Sequence, residues 1–231
     1  MKSARTVVSV IAVAMFVGTL FAEPGKTSDG KICAPDVLAS FNYYMPGDSD
    51  TYKNGYGGEV QARFWLMEYV GLAVAGGGAS WERKEETRST YGYYRGYHVS
   101  TVVEKISGNA ALFPLGGSIL IRPIHIDRIS LTLEGGIRYV FVNSQVDYEA
   151  AYADIAGRSE YLKEKFDIGN GVVGVVGANL EVKVINLLFA FVGAGYQFDI
   201  SKGKVTLPGG TGSLDNELKA FYGKAGLGLA F

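Results

Sequence analysis

Two histidines, His98 and His125, are the residues of this 231-residue chain best suited to acid–base chemistry at neutral pH. Ser100 lies two residues after His98, and a serine beside a histidine is the nucleophile–base pair of many hydrolases. A Ser-His-Asp triad is defined by geometry, however, and no spacing in the chain identifies one. We therefore expect no catalytic site, and we interpret both histidines as surface residues.

The sequence offers no recognisable metal or cofactor site. Glycine-rich runs at 76–78 and 169–177 lie within strand patterns, not between a strand and a helix, so they are not phosphate-binding loops. The single cysteine, Cys33, excludes an intramolecular disulfide. A net charge of −1 gives no overall attraction to nucleic acid. We expect no cofactor, no metal and no nucleic-acid partner.

Charged residues recur at alternate positions of otherwise apolar stretches. Glu134 and Arg138 alternate with Leu133 and Ile137, which is the period of a strand with two different faces. When such strands close into a cylinder with the polar face inward, charges of both signs pair, because an unpaired buried charge is costly. The predicted interior charge network consists of Glu59, Arg63, Arg122, Glu134, Arg138, Glu181, Lys183 and Lys224. A barrel of about eight strands has room for side chains and little else, which favours a plug over a polar path or gated pore.

A tyrosine-rich segment between residues 81 and 105 is the candidate binding surface. Tyrosine among glycine and serine makes adaptable contacts with other molecules. The tyrosines predicted to form this surface-binding loop are Tyr91, Tyr93, Tyr94 and Tyr97. The alternative interpretation is a solvated hairpin extension, or tyrosines standing at lipid headgroups.

About eight strands must position these residues, because the period-two pattern continues from residue 35 to the C-terminus. We predict strands at 35–45, 55–66, 70–81, 103–122, 128–147, 165–185, 187–200 and 217–231. Pro114 lies inside the fourth of these and cannot donate to a ladder, so we expect a bulge or break there. The predicted fold is all-β: a single antiparallel up-and-down barrel over residues 35–231.

The first 22 residues are predicted to be a secretory signal peptide. Lys2 and Arg5 precede an apolar run from 7 to 21, and Ala22 ends a cleavage site. The run is shorter than the roughly 20 residues that a membrane-spanning helix needs, which argues against an uncleaved anchor. Residues 23–34 would then be an N-terminal periplasmic segment of the exported protein.

The connections between the predicted strands alternate between short and long. Long polar ones are expected at 47–54, 82–102, 148–164 and 201–216, and short turns lie between them. Short turns at one end and long loops at the other are typical of outer-membrane barrels. Aromatic residues near the strand ends also suit the two membrane–water boundaries. These features favour a membrane barrel over a soluble, lipocalin-like barrel, in which the apolar face would point inward.

The chain resembles the small outer-membrane β-barrel superfamily of the OmpX and opacity-protein type. In that family a terminal aromatic residue, with apolar residues two and four positions before it, is read by the barrel-assembly machinery; Leu227, Leu229 and Phe231 match this signal. The resemblance implies a monomer in the bacterial outer membrane that contacts lipid, with long loops available to an extracellular ligand. It implies a non-catalytic structural or surface-interacting role. Alternatives are a narrow channel or lateral route for small solutes, and a lipid hydrolase at the rim.

Overall fold

The computed structural model describes residues 35–94, 97–154, 159–166, 168–206 and 213–231. The predicted signal peptide, the segment 23–34 and Cys33 lie outside these residues. No helix in the described ranges is long and apolar enough to cross a membrane.

Eleven antiparallel strands make up the described chain. They are β1 (Pro35–Pro46), β2 (Gly55–Trp65), β3 (Val70–Tyr94), β4 (Tyr97–Ile126), β5 (Ile129–Asp154), β6 (Ser159–Phe166), β7 (Gly171–Lys183), β8 (Leu188–Ser201), β9 (Gly203–Thr206), β10 (Ser213–Asn216) and β11 (Ala220–Ala230). The wall runs in the order β1-β2-β3-β4-β5-β7-β8-β11, and β11 pairs with β1 to close it. The predicted eight-stranded barrel is confirmed.

Alternation along each strand sets which side chains face inward. On β5, Leu133 and Ile137 are exposed on the outside of the wall, while Glu134 and Arg138 are buried. This orientation is the one predicted for a membrane barrel, since lipid accepts apolar side chains and offers no partner to polar ones. We call the end with the turns at 66–69, 127–128 and 184–187 the turn end, and the opposite end the loop end.

Two predicted loops at the loop end are in fact strands. The segment 82–102 continues β3 to Tyr94 and begins β4 at Tyr97, and most of 148–164 belongs to β5 and β6. The residues pair across all three seams, for example Arg83 with Gly108 and Gly108 with Val146. The polar composition of these segments suggested loops, because they lack the apolar alternation by which the strands of the wall were recognised.

Of the bulge or break expected at Pro114, the structure has a break on one side of the strand. The β3–β4 ladder lacks the two pairs between Gly76↔Leu115 and Ala79↔Leu112, without a change of register, whereas the β4–β5 register runs unbroken through Pro114 opposite Val140. Near the turn end, a bulge in β4 lies between Ile121 and Ile124. It inserts one residue into β4 and keeps both Arg122 and the residue three positions later, His125, at the turn-end mouth.

The strand predicted over 165–185, the sixth of the sequence analysis, is interrupted in the structure. The break lies between β6 and β7, and Ile168, which follows β6, is buried. The Ser144 hydroxyl accepts a hydrogen bond from the Ile168 amide at 2.8 Å, and the Asn170 side chain accepts one from the Val142 amide at 2.9 Å. These side chains bond to backbone amides where the ladder is interrupted.

Candidate functional site

The barrel interior contains a central charge cluster of Glu59, Glu134, Arg138 and Lys224. Glu134 is 4% exposed and accepts hydrogen bonds from Arg138 and Lys224, each at 3.1 Å. Arg138 donates through both terminal nitrogens to Glu59, and Lys224 lies 4.0 Å from Glu59. The four groups come from β2, β5 and β11, so they meet across the interior. Two carboxylates and two cations give this cluster a net charge of zero.

A second group, the turn-end charge cluster, consists of Asp36, Arg63, Arg122 and Glu181. Arg63 is fully buried and donates to Glu181 at 2.5 Å, which joins β2 to β7 on the far side of the barrel. Asp36 accepts a hydrogen bond from the Trp65 indole at 2.7 Å. Arg122 lies 3.8 Å from both carboxylates. This cluster is also neutral, so each charge has a partner of opposite sign.

Gln61 connects the two clusters. Its amide donates to Glu134 at 3.0 Å, and its carbonyl oxygen accepts from Arg63 at 2.7 Å. Ser118 donates to Glu134 at 2.9 Å and Ser130 donates to Glu181 at 3.3 Å. The result is a continuous hydrogen-bonded network that fills the lumen from its centre to the turn end.

The loop end of the interior is apolar and aromatic. Trp81 is 1% exposed and packs against Tyr44 and Tyr52, with ring centroids 6.2 and 5.7 Å apart. Tyr222 lies beneath Tyr44 at 6.1 Å, and Leu218 completes what we call the aromatic cap. The sequence predicted a lumen filled by polar and charged side chains, and it missed this apolar part.

The aromatic cap depends on close backbone and loop contacts. A Cβ atom at Gly55 would lie 2.2 Å from the Trp81 ring, so only glycine leaves room for the indole there. The Leu218 amide donates to Asp199 at 2.8 Å, and the Gln197 side chain donates to the Leu218 carbonyl. Burial raises the pKa of Tyr52, so its phenol stays protonated at neutral pH. These contacts fix the loop residues over the lumen.

The structure places seven of the eight predicted network residues in the two charge clusters and leaves one outside. Lys183 is exposed at the end of β7, and its side chain lines the turn-end mouth. The prediction that Lys183 faces the interior network is therefore wrong, because the alternation of a strand does not say where the wall ends. The sequence interpretation also missed Asp36, Gln61, Ser118 and Ser130, although all four lie on the inward positions of their strands.

The other sequence candidates lie apart from this interior. Tyr91, Tyr93 and Tyr94 fall at the end of β3, and Tyr97 opens β4, where they belong to a strand hairpin and not to a loop. Their side chains, and those of His98 and Ser100, lie outside the described part of the structure. His125 is exposed at the turn-end mouth.

The C-terminal strand presents the predicted assembly residues outward. Leu227, Leu229 and Phe231 are 55, 44 and 63% exposed, all on the outer face. β11 pairs with β1 over its whole length and so forms the seam that closes the barrel. Within the described ranges no group of His, Cys, Asp or Glu side chains is arranged to hold a metal ion.

No protein-family model and no curated protein matches the chain. Solved structures do match. OprG from Pseudomonas aeruginosa has a TM-score of 0.56 at 8% identity, with 86% of this chain and 96% of OprG covered. Neisserial surface protein A has a TM-score of 0.48 at 12% identity, with 86% of this chain and 96% of that protein covered. Ail of Yersinia pestis, solved with the heparin analogue sucrose octasulfate, has a TM-score of 0.40 at 13% identity, with 86% of this chain and 97% of Ail covered. The chain therefore shares the fold of OprG, a small, closed, antiparallel eight-stranded β-barrel.

Proposed function

We propose that this protein is a non-catalytic surface-interacting barrel of the outer membrane, with a closed lumen and a projecting β-sheet that binds an extracellular ligand. Closure is supported by two neutral charge clusters and an aromatic cap stacked along the interior. The charges neutralise one another across the barrel, so an entering solute would have to displace short, buried ion pairs. This arrangement favours a plug over a channel.

The observation that carries the surface role is a four-stranded sheet that rises beyond the barrel wall. It is formed by the outer parts of β3 and β4 together with the outer part of β5 and β6. From residue 82 to 94, β3 extends by roughly 40 Å of chain at about 3.3 Å per residue.

This sheet has an unpaired edge in the described structure. β6 pairs only with β5, while the next elements along the wall, β9 and β10, pair with each other. An edge strand presents unpaired N–H and C=O groups to which an extended segment of another protein adds as a further strand. The predicted tyrosines lie at the tip of the same sheet, in the β3–β4 hairpin on the other side of β5, and would add a second contact region to the one at this edge.

A shortened variant tests the role of the sheet. Residues Arg83, Gly108, Val146 and Phe166 lie at one level, because each pairs with the next across three seams. Replacing 84–107 and 147–165 each with an Asn-Gly turn removes the sheet above that level and keeps the barrel below it. We expect the variant to fold, as seen by faster migration before boiling than after on a gel.

Binding is measured as adhesion of cells displaying the protein to a laminin- and collagen-coated surface. Wild-type display should raise adhesion several-fold over empty cells, and the shortened variant should lose that gain. Equal adhesion by both proteins would overturn the proposal. No gain by the wild type, together with a sustained single-channel current in a planar bilayer, would favour the channel instead. Phospholipid hydrolysis that disappears in His98→Ala would favour the hydrolase.

A further inference from the structure

The turn end of the barrel contains a cavity that the proposed surface role does not use. Its volume is about 170 Å³, which is room for several waters or a small solute. Buried or half-buried Trp65, Arg122 and Glu181 form its floor. In outer-membrane barrels the short turns face the periplasm, so the cavity opens to that compartment.

Arg122 is the unusual group on this floor. Its guanidinium lies over the Trp65 ring at 3.6 Å, which fixes its plane. It makes no side-chain hydrogen bond to any described residue, and its Nε is buried without a partner. A guanidinium carries five donors, and the contacts of 3.8 Å to the two carboxylates exceed hydrogen-bond range. The other two interior arginines, Arg63 and Arg138, each donate to a carboxylate.

The neighbouring carboxylates are already engaged by other donors. Glu181 accepts from Arg63 at 2.5 Å and from Ser130 at 3.3 Å, while Asp36 accepts from the Trp65 indole at 2.7 Å. The cavity is lined by three cations, Arg122, Arg128 and Lys183, and by three carboxylates, Asp36, Asp127 and Glu181, so its lining carries no net negative charge that would exclude an anion.

We propose that this cavity is a binding site for a small oxyanion, the carboxylate or phosphate group of a periplasmic solute, held by Arg122. A planar guanidinium matches the two oxygens of a carboxylate or phosphate in a bidentate geometry. The stacked Trp65 holds the guanidinium ready for such a ligand. Arg122 continues the inward register of the buried residues Ser118 and Leu120, and the bulge that follows brings His125 to the same mouth.

Tryptophan fluorescence of the folded chain in detergent micelles tests the site. The chain has two tryptophans, so Trp81→Phe leaves Trp65 as the only reporter. Two titrants distinguish a phosphate ligand from a carboxylate ligand: inorganic phosphate and N-acetylglycine. Each is added at a constant ionic strength that is set with chloride. Calorimetry gives an independent measurement of binding. We expect saturable binding of at least one of them. Arg122→Gln should weaken binding at least about tenfold, as loss of a charged hydrogen-bond donor does.

Three further variants complete the test. Lys53→Gln removes an exposed cation at the loop end and should leave the affinity unchanged. Arg122→Lys keeps the charge and loses the planar fork, so its affinity should fall between those of wild type and Arg122→Gln. If Arg122→Gln does not fold, the rim variant Arg128→Gln/Lys183→Gln should still weaken binding several-fold. Failure of both titrants to saturate by fluorescence and calorimetry, or equal affinity in wild type and Arg122→Gln, would overturn the site.

Discussion

Replacing Glu134 by glutamine should be among the most destabilising conservative changes in this protein. The Glu134 carboxylate lies 3.1 Å from both Lys224 and Arg138. At an effective dielectric constant near 20, each of these contacts corresponds to about 5 kcal/mol of attraction. Glu134→Gln keeps the shape but leaves the central cluster with two cations and only Glu59. After the carboxylate's own desolvation cost is removed, we expect a loss of about 3–5 kcal/mol in the free energy of unfolding.

Urea unfolding in phospholipid vesicles measures this loss, with the folded fraction read from the unboiled gel band. Glu134→Gln/Lys224→Met restores neutrality, so the double variant should cost at least about 2 kcal/mol less than the two single changes added together. The exposed pair Lys53–Glu82, with an Nζ–Oε1 distance of 2.8 Å, is the control, and Lys53→Gln should leave the urea midpoint almost unchanged because solvent screens the pair. A loss below 1 kcal/mol for Glu134→Gln, or strict additivity in the double variant, would refute the idea that charge balance holds the interior together.

Three other outcomes follow from which way side chains face. Gly136→Ala should destabilise the barrel by about 1–3 kcal/mol, because its Cβ would lie 2.4 Å from the Gly117 carbonyl oxygen. A Cβ at Gly135 would meet nothing within 4 Å, so Gly135→Ala should be tolerated, and parallel urea titrations compare the two variants. Ile137→Arg places a charge on the lipid face and should lower the free energy of unfolding in vesicles by about 2–4 kcal/mol. Met67→Arg places the same charge in a turn and should lower it by at most about 1 kcal/mol; equal losses would contradict the membrane orientation. Trp81→Ala should lower the free energy of unfolding by about 3–5 kcal/mol. It should not produce a sustained current in a planar bilayer, since the charge clusters below it remain, and a stable open level would argue against closure by those clusters.

The sequence predicted the barrel well because one physical rule governs most of the wall. Lipid on one side and a crowded polar interior on the other impose alternation, so the facing of Glu134 and Arg138 could be read directly from the order of residues. The same rule does not specify height along the barrel. Lys183 falls on the inward register of β7 but lies where the wall ends, while Asp36 lies at the second position of β1 and was not included among the predicted inward charges. The pairing of Arg63 with Glu181 across the lumen depends on closure and could not be inferred from local sequence.

The aromatic cap shows where the alternation rule fails and which signal replaces it. In β7, Val172 and Val173 are adjacent, as are Val175 and Val176, so both faces of the wall are apolar there. Val173 and Val175 are fully buried against the cap, while Val176 faces outward. A run that is apolar on both faces in one strand, opposite a tryptophan in another, indicates that the interior at that height excludes water. Such runs in barrel sequences therefore predict a dry, closed section of the lumen, as alternating charge predicts a paired and polar one.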